Sequence, residues 1–324
     1  MQTTIKKTGT RQQGMTLIES MVAMTISTVL ILGSIQMYAQ ARSNYRTTES
    51  VSRMQENLRF SIDILDEDVR LAGYWGKTSS AASLEGQNDV TVTCQGNDVS
   101  AWIMQTKKPI VALQQEGNLD PNCRGTNPRD NSDVLILRHA KNDQNTVPKN
   151  DAVQIRSNSR RGAFFDKDTD PGSTAMENDQ VFDVSFSAYY ISNESKYDAS
   201  LPSLRRLSLV DNRIEDQEII PGVENLQVQF GIDIAPVDGQ IDMYVNGDDP
   251  RINNGAIISA RLWLLVRSEQ DEAGLGYTDR RGPYVTPDAG IDPIDPLGQD
   301  AADYPPTYRR MALNRTIVLR NLQN

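Results

Sequence analysis

From Met15 to about Tyr38 the chain is almost uninterruptedly apolar, with a single carboxylate, Glu19, inside the run. From Val51 the pattern changes. Val51, Met54, Leu58, Ile62, Leu65, Val69 and Ala72 recur at intervals of three or four, and Arg53, Glu56, Arg59, Asp63 and Glu67 fall between them. That period places the apolar residues in one stripe along a helix. No proline occurs before Pro109, so nothing removes a backbone donor between residue 15 and residue 72. The two patterns therefore predict one continuous helix, apolar all round in its first half and amphipathic in its second. Gly73 stands where a helix C-cap is expected.

Beyond Gly73 the period shortens to two. Short runs bounded by Gly, Asn, Asp and Pro read as strands: Val90–Thr93, Ala101–Met104, Val134–Arg138, Val153–Arg156, Val181–Ile191, Arg205–Val210, Val223–Phe230, Ile257–Val266 and Asn314–Leu319. Val223, Leu226, Val228 and Phe230 are expected to face a core, as are Ala260, Leu262, Leu264 and Val266. A helix followed by antiparallel strands is an α+β fold. Residues 157–180 and the proline- and acid-rich stretch 268–308 read as irregular. The head, 73–324, is long enough for two lobes.

Charge gives the helix a direction. Lys6, Lys7 and Arg11 precede the apolar run with no acid among them, and basic flanks stay cytoplasmic. The remainder is expected on the far side of the inner membrane. A secretory signal is cut after its apolar region; here the candidate site, Gly14, lies before it, so cutting would leave the apolar helix on the mature chain. A carboxylate at mid-membrane costs roughly 2.5–3.5 kcal/mol on insertion scales, so Glu19 calls for a partner. A plain membrane anchor accounts for the apolar run but not for this acid.

The run Gly14-Met15-Thr16-Leu17-Ile18-Glu19 resembles the prepilin-peptidase site of type IV pilins and type II secretion pseudopilins. The resemblance implies cleavage after Gly14, a methylated N-terminus at Met15 where the family usually has Phe, and an assembly role for Glu19. An amine on Met15 and the carboxylate of Glu19 on a neighbouring subunit can pair inside the apolar layer, which rewards one axial stagger between helices. The segment Asp68–Gly76, the size of the head and the closing strand near Arg309-Arg310 to Asn321 resemble PilW-type minor pilins. The implied organisation is a removed leader, 1–14; a transmembrane and assembly half-helix, 15–39; an amphipathic half, 40–72; and the strand-rich head, 73–324. The implied function is a structural subunit of the priming or tip complex that initiates a type IV pilus used in twitching motility. Its implied partners are other minor pilins, the major pilin and a large tip adhesin, with the peptidase acting during processing. The alternatives are a J-type minor pseudopilin of type II secretion and a calcium-dependent adhesin at the pilus tip.

The net charge of −10 argues against nucleic acid as a partner, because phosphate neutralisation needs a surplus of Lys and Arg. Cys94 and Cys123 are the only cysteines. In an oxidising compartment they are expected to pair, and closing such a loop contributes about 3.6 kcal/mol in the chain-entropy model. Together with His139, the one histidine, they are too few for a zinc site. No phosphate-cradling glycine loop is present, and no nucleophile motif accompanies His139, which reads as a surface or strand-end residue. No enzyme activity and no cofactor are expected, with calcium the one candidate ion. Asp166, Asp168, Asp170 and Glu177 stand at positions one, three, five and twelve of a calcium-type loop. Pro171 replaces the usual glycine and the flanks read as strands, so the site would not be an EF-hand; a solvated acidic turn is the plainer reading.

Overall fold

The computed structural model describes residues 14–78, 81–114, 119–145, 148–166, 169–170, 172, 177–287 and 293–322. The leader therefore lies outside the described residues apart from Gly14. The chain divides into two compact units, residues 1–49 and 50–324.

Helix α1 runs without interruption over Leu17–Leu71. In the first unit its side chains are exposed: Leu17, Ile18, Met24, Val29 and Leu30 all face outward. Its most apolar window has a mean hydropathy of 1.8, enough by length and composition to cross a membrane. The hydroxyls in this stretch turn back on the helix. Thr25 Oγ1 donates to the Val22 carbonyl at 2.8 Å, Ser27 to Ala23 at 2.7 Å, Thr28 to Met24 at 2.8 Å and Ser34 to Leu30 at 2.8 Å. Each polar group is satisfied by its own backbone, which lets it sit in an apolar surrounding.

In the second unit Met54, Leu58, Ile62, Leu65 and Val69 are buried, while Arg53, Glu56, Arg59, Asp63 and Glu67 are exposed, as the periodicity predicts. Burying each large apolar side chain contributes roughly 1.5–3 kcal/mol. The helix stops where Gly73 turns to φ +77°; a Cβ there would lie 2.5 Å from the Leu322 side chain.

Ten strands form the first sheet: β1 (Leu84–Glu85), β2 (Thr93–Cys94), β3 (Asn97–Asp98), β4 (Ile110–Leu113), β5 (Val134–Asn145), β6 (Gln154–Ser157), β7 (Gly162–Phe165), β8 (Gln180–Ser192), β9 (Ser203–Val210) and β10 (Arg213–Pro221). The order is β1-β7-β6-β8-β9-β10-β2-β3, with β5 also pairing β8 and β4 pairing β5. Strand β8 is central: β6 pairs with its first residues and β9 with its last. The second sheet contains β11 (Val223–Ile234), β12 (Met243–Asn246), β13 (Gly255–Arg267) and β14 (Arg310–Val318), antiparallel in the order β12-β11-β13-β14.

The main core lies between the second half of α1, the second sheet and one face of the first. Leu58, Ile62 and Leu65 share it with Leu226, Phe230, Leu262, Leu264, Leu135 and Tyr189. Val223 and Leu226 both belong to it although their spacing is odd. A register shift between Val223 and Asn225 absorbs the extra residue. A second core covers the other face of the first sheet, around Trp75, Phe164, Phe186 and Tyr190. A third, smaller cluster joins Trp263 and Leu265 of β13 to Tyr284, Ile294 and Tyr304 of the proline-rich stretch.

Three expectations about these elements need correction. Of Val90–Thr93 only Thr93 lies in a strand, β2. Ala101–Met104 is not a strand: Ser100–Ile103 forms a short helix, α2. The Asp98 carboxylate accepts from the Ser100 N–H at 2.9 Å just before it, and Arg138 takes the carbonyls at its end (below), so local polar contacts override the β-like pattern. Residues 157–180, expected to be irregular, include β7, which pairs antiparallel with β6.

Candidate functional site

The segment that heads α1 is built by two residues of its own. Helical residues begin at Leu17, which makes Thr16 the N-cap and Glu19 the third helical position. The Glu19 N–H donates to Thr16 Oγ1 at 3.3 Å, and Glu19 Oε2 accepts from the Thr16 N–H at 3.3 Å. The Thr16 hydroxyl lies 3.5 Å from the same oxygen. This is a reciprocal capping box. It satisfies two backbone donors at the helix start and draws the carboxylate back toward the residue that follows Met15. Met15 itself is exposed. The signal, Thr-x-x-Glu, was present in the sequence but hidden by the resemblance of the whole segment to a processing site. Chemically, the arrangement holds an anion at the positive end of a helix, one residue from a position that carries an amine if the chain is cut after Gly14.

His139 is buried, not a surface residue as its place in the strand suggested. Its Nδ1 lies 2.8 Å from the Ala140 carbonyl and its Nε2 3.3 Å from Asp68 Oδ1. Asp68, in the last turn of α1, also accepts from the Tyr189 hydroxyl at 2.7 Å. Burial pushes the Asp68 carboxyl up, but hydrogen bonds from His139 and Tyr189 and the charge of His139 outweigh it and hold it below the usual carboxylate range. Asp68 thus ties α1 to β5 through His139 and to β8 through Tyr189.

Cys94 and Cys123 form a disulfide with Cα atoms 5.3 Å apart. Arg138 reaches into the segment the bridge closes. Its Nε donates to the Ile103 carbonyl at 2.9 Å, and its two Nη atoms donate to the Lys108 and Trp102 carbonyls at 2.8 Å. Burial lowers its pKa to about 10. Carbonyl dipoles at the end of α2 stabilise the charge.

The acid-rich loop is organised by arginine. Both Asp170 oxygens lie within reach of Arg156 Nη2, at 3.0 and 3.2 Å, and Asp179 Oδ2 is 2.6 Å from Nη1. Asp166 Oδ1 accepts from the Thr169 hydroxyl at 3.0 Å. Glu177 contributes its backbone carbonyl, which accepts from Asn158 at 3.2 Å. Asp168 lies outside the described residues. A guanidinium therefore occupies the place a cation would take beside Asp170. Among the described residues there is no group of three or more His, Cys, Asp or Glu suited to a metal.

The proline-rich stretch is fastened by buried charges that the sequence did not single out. Arg310 meets Glu224 at 2.6 and 3.1 Å and Asp279 at 3.3 Å. Asp279 in turn accepts from the Tyr284 hydroxyl at 2.9 Å. Arg309 pairs with Glu272 at 2.6 Å, and Glu272 accepts from Ser50 of α1 at 2.9 Å.

Comparison with known proteins adds three findings. Residues 188–321 match the family model described as Type IV Pilus-assembly protein W. Residues 9–35 match the prokaryotic N-terminal methylation motif. Among solved structures, a type IV-like pilin from Thermus thermophilus is similar at 11% identity over 83% of this chain and 98% of that one, with a TM-score of 0.33. None of the curated proteins matches. The chain is similar to type IV pilins, and to PilW in particular.

Proposed function

We propose that this PilW-like chain is a minor pilin, a structural rather than catalytic subunit of the complex that primes a type IV pilus or caps its tip. The observation that carries the reading is the capped segment Gly14–Glu19 at the head of an exposed apolar helix, together with the PilW match over 188–321. In this reading the precursor sits in the inner membrane with its leader inside and its head in the periplasm. The prepilin peptidase cuts after Gly14, the Met15 amine is methylated, and Glu19 leaves its own cap to pair with the amine of a neighbouring helix. The exchange fixes register because each carboxylate finds its best partner at one stagger. Residues 15–39 then act as the assembly half-helix and 40–72 as the link to the head at 73–324. The partners are other minor pilins, the major pilin and a tip adhesin.

Deletion of the gene tests this. Loss of surface pili and of twitching, with normal secretion, is the expected result. Exoproteins trapped behind normal pili would overturn it in favour of the J-type pseudopilin. The calcium-dependent adhesin is disfavoured by Arg156, which already neutralises Asp170.

A further inference from the structure

Helix α1 carries five arginines, and two of them stand apart. Arg53 pairs with Glu269 at 3.4 Å, Arg59 with Asp63 at 3.8 Å, and Arg70 with Asp66. Arg42 and Arg46 are exposed, and neither meets a carboxylate among the described residues. The helix offers them little. No acid occurs between Glu19 and Glu49, and Glu49 has an interaction of its own. Basic residues also favour the cytoplasmic flank of a span. Two unpaired guanidinium groups on the far flank therefore call for a partner.

Their surroundings and their depth point to the same one. Tyr38, Arg42, Tyr45 and Arg46 follow at steps of four, three and one, which keeps them within an arc of about 100° on one helix face. Tyr38 is 70% exposed and Tyr45 69%. From Leu17 to Tyr38 the helix rises about 32 Å, close to the roughly 30 Å of a hydrocarbon core. Tyr38 then stands at the far boundary of the apolar layer. Arg42 lies about 6 Å beyond it, among the headgroups, and Arg46 about 12 Å. Helical side chains lean toward the N-terminus, which here is the membrane side, so Arg46 reaches back to the same layer.

We propose that Arg42 and Arg46, framed by Tyr38 and Tyr45, form a docking surface for the phosphates of anionic phospholipids in the far leaflet of the inner membrane. A guanidinium is a planar fork that matches a phosphate with parallel hydrogen bonds, and it sheds water more easily than an ammonium. A tyrosine at this level keeps its ring in the boundary and its hydroxyl among the headgroups. Depth favours lipid over the acid of a neighbouring chain, because it puts both arginines among phosphates whatever stands beside α1. The contact holds the subunit at one depth in the bilayer before it joins a filament. It rests on the reading of α1 as a membrane span.

The test places the full chain and the double variant Arg42→Gln, Arg46→Gln in phosphatidylcholine nanodiscs. Spin-labelled phosphatidylglycerol or phosphatidylcholine is the probe, and electron spin resonance gives the share of probe held beside the protein. The basic leader is the same in both proteins and cancels in the comparison. Both positions are exposed and lie in the first unit, so the melting temperature of the head should not move. The unaltered chain should prefer phosphatidylglycerol, and the double variant should lose most of that preference, up to about fivefold for each arginine. Equal preference in both proteins overturns the proposal; a variant that also assembles no pili then assigns the arginines to acids of a neighbouring chain. Displacement of the probe by inorganic phosphate, but not by chloride at equal ionic strength, overturns it in favour of a site for a soluble ion. Failure of the unaltered chain to enter the discs overturns the spanning reading, and the proposal with it.

Discussion

Arg310 and Glu224 form a two-pronged ion pair, Nε to Oε2 at 2.6 Å and Nη2 to Oε1 at 3.1 Å, with neither side chain exposed to solvent. Arg310 begins β14, Glu224 lies at the register shift in β11, and Asp279 brings the intervening stretch to the same guanidinium. Removing one partner strands a buried charge, whereas replacing both need not. Arg310→Met should lower unfolding free energy by about 3–5 kcal/mol. The double replacement with Glu224→Leu should recover only part of that loss, since Asp279 then lacks Arg310, and Arg267, which also faces Glu224 at 3.9 Å, lacks that carboxylate. Urea denaturation of the three proteins checks this; a double variant no more stable than the single one would refute it.

Asp68 gives a pH dependence whose sign follows from its depressed pKa. The unfolded carboxyl titrates near about 3.9. The stabilisation is therefore fully present above that value and is lost as pH falls through the lower folded value. Asp68→Asn should flatten the stability profile below about pH 4 and cost about 1–3 kcal/mol at neutral pH through the buried partners it leaves. Thermal melts from pH 2 to about pH 7 measure both. An unchanged acid limb would show that other carboxylates set it.

The disulfide and Arg138 hold the same segment from two sides. Cys94→Ser with Cys123→Ser should cost up to about 3.6 kcal/mol, the chain-entropy value for a loop of this size. The loss should concentrate in faster amide exchange around α2. Uniform acceleration across both sheets would mean that the bridge stabilises the whole head instead.

Gly14→Val should leave a precursor of full mass on immunoblots, while Glu19→Val should be cut and yet assemble poorly. Wild-type pilus numbers with Glu19→Val would show the carboxylate to be dispensable. Thr16→Val separates capping from assembly: it should cost the helix start about 1 kcal/mol and raise amide exchange at Leu17–Glu19.

Asp170→Ala should destabilise the head equally with and without calcium, because its partner is Arg156. A calcium-dependent rise in melting temperature in the unaltered chain, lost in Asp170→Ala, would reverse that assignment.

The helix was legible because its patterns are local. Apolar residues three and four apart, no proline and a terminal glycine settle α1 without reference to the rest of the chain. Alternation likewise marked Ala260–Val266. What escaped was set by distant or competing partners. Ser100–Ile103 has β-like composition but is helical because Asp98 and Arg138 take its ends. Arg310 stands out in the sequence only as part of the closing strand, because its pairing depends on Glu224, far away in sequence. At Glu19 the sequence marked the residue but not the hydroxyl that holds it.

The way α1 is buried also sets an order of events. Met54, Leu58 and Leu65 are made early, but Leu226, Leu262 and Ile317, which cover them, come 150 residues or more later along the chain. At typical synthesis speeds of about 5–20 residues per second, the apolar stripe stays uncovered for on the order of ten seconds or longer. Long-range pairing of this kind also folds slowly. A nascent chain with such a stripe bare is prone to clump with its neighbours, so a holding chaperone has the most to offer in the interval between the first helix and the last strand.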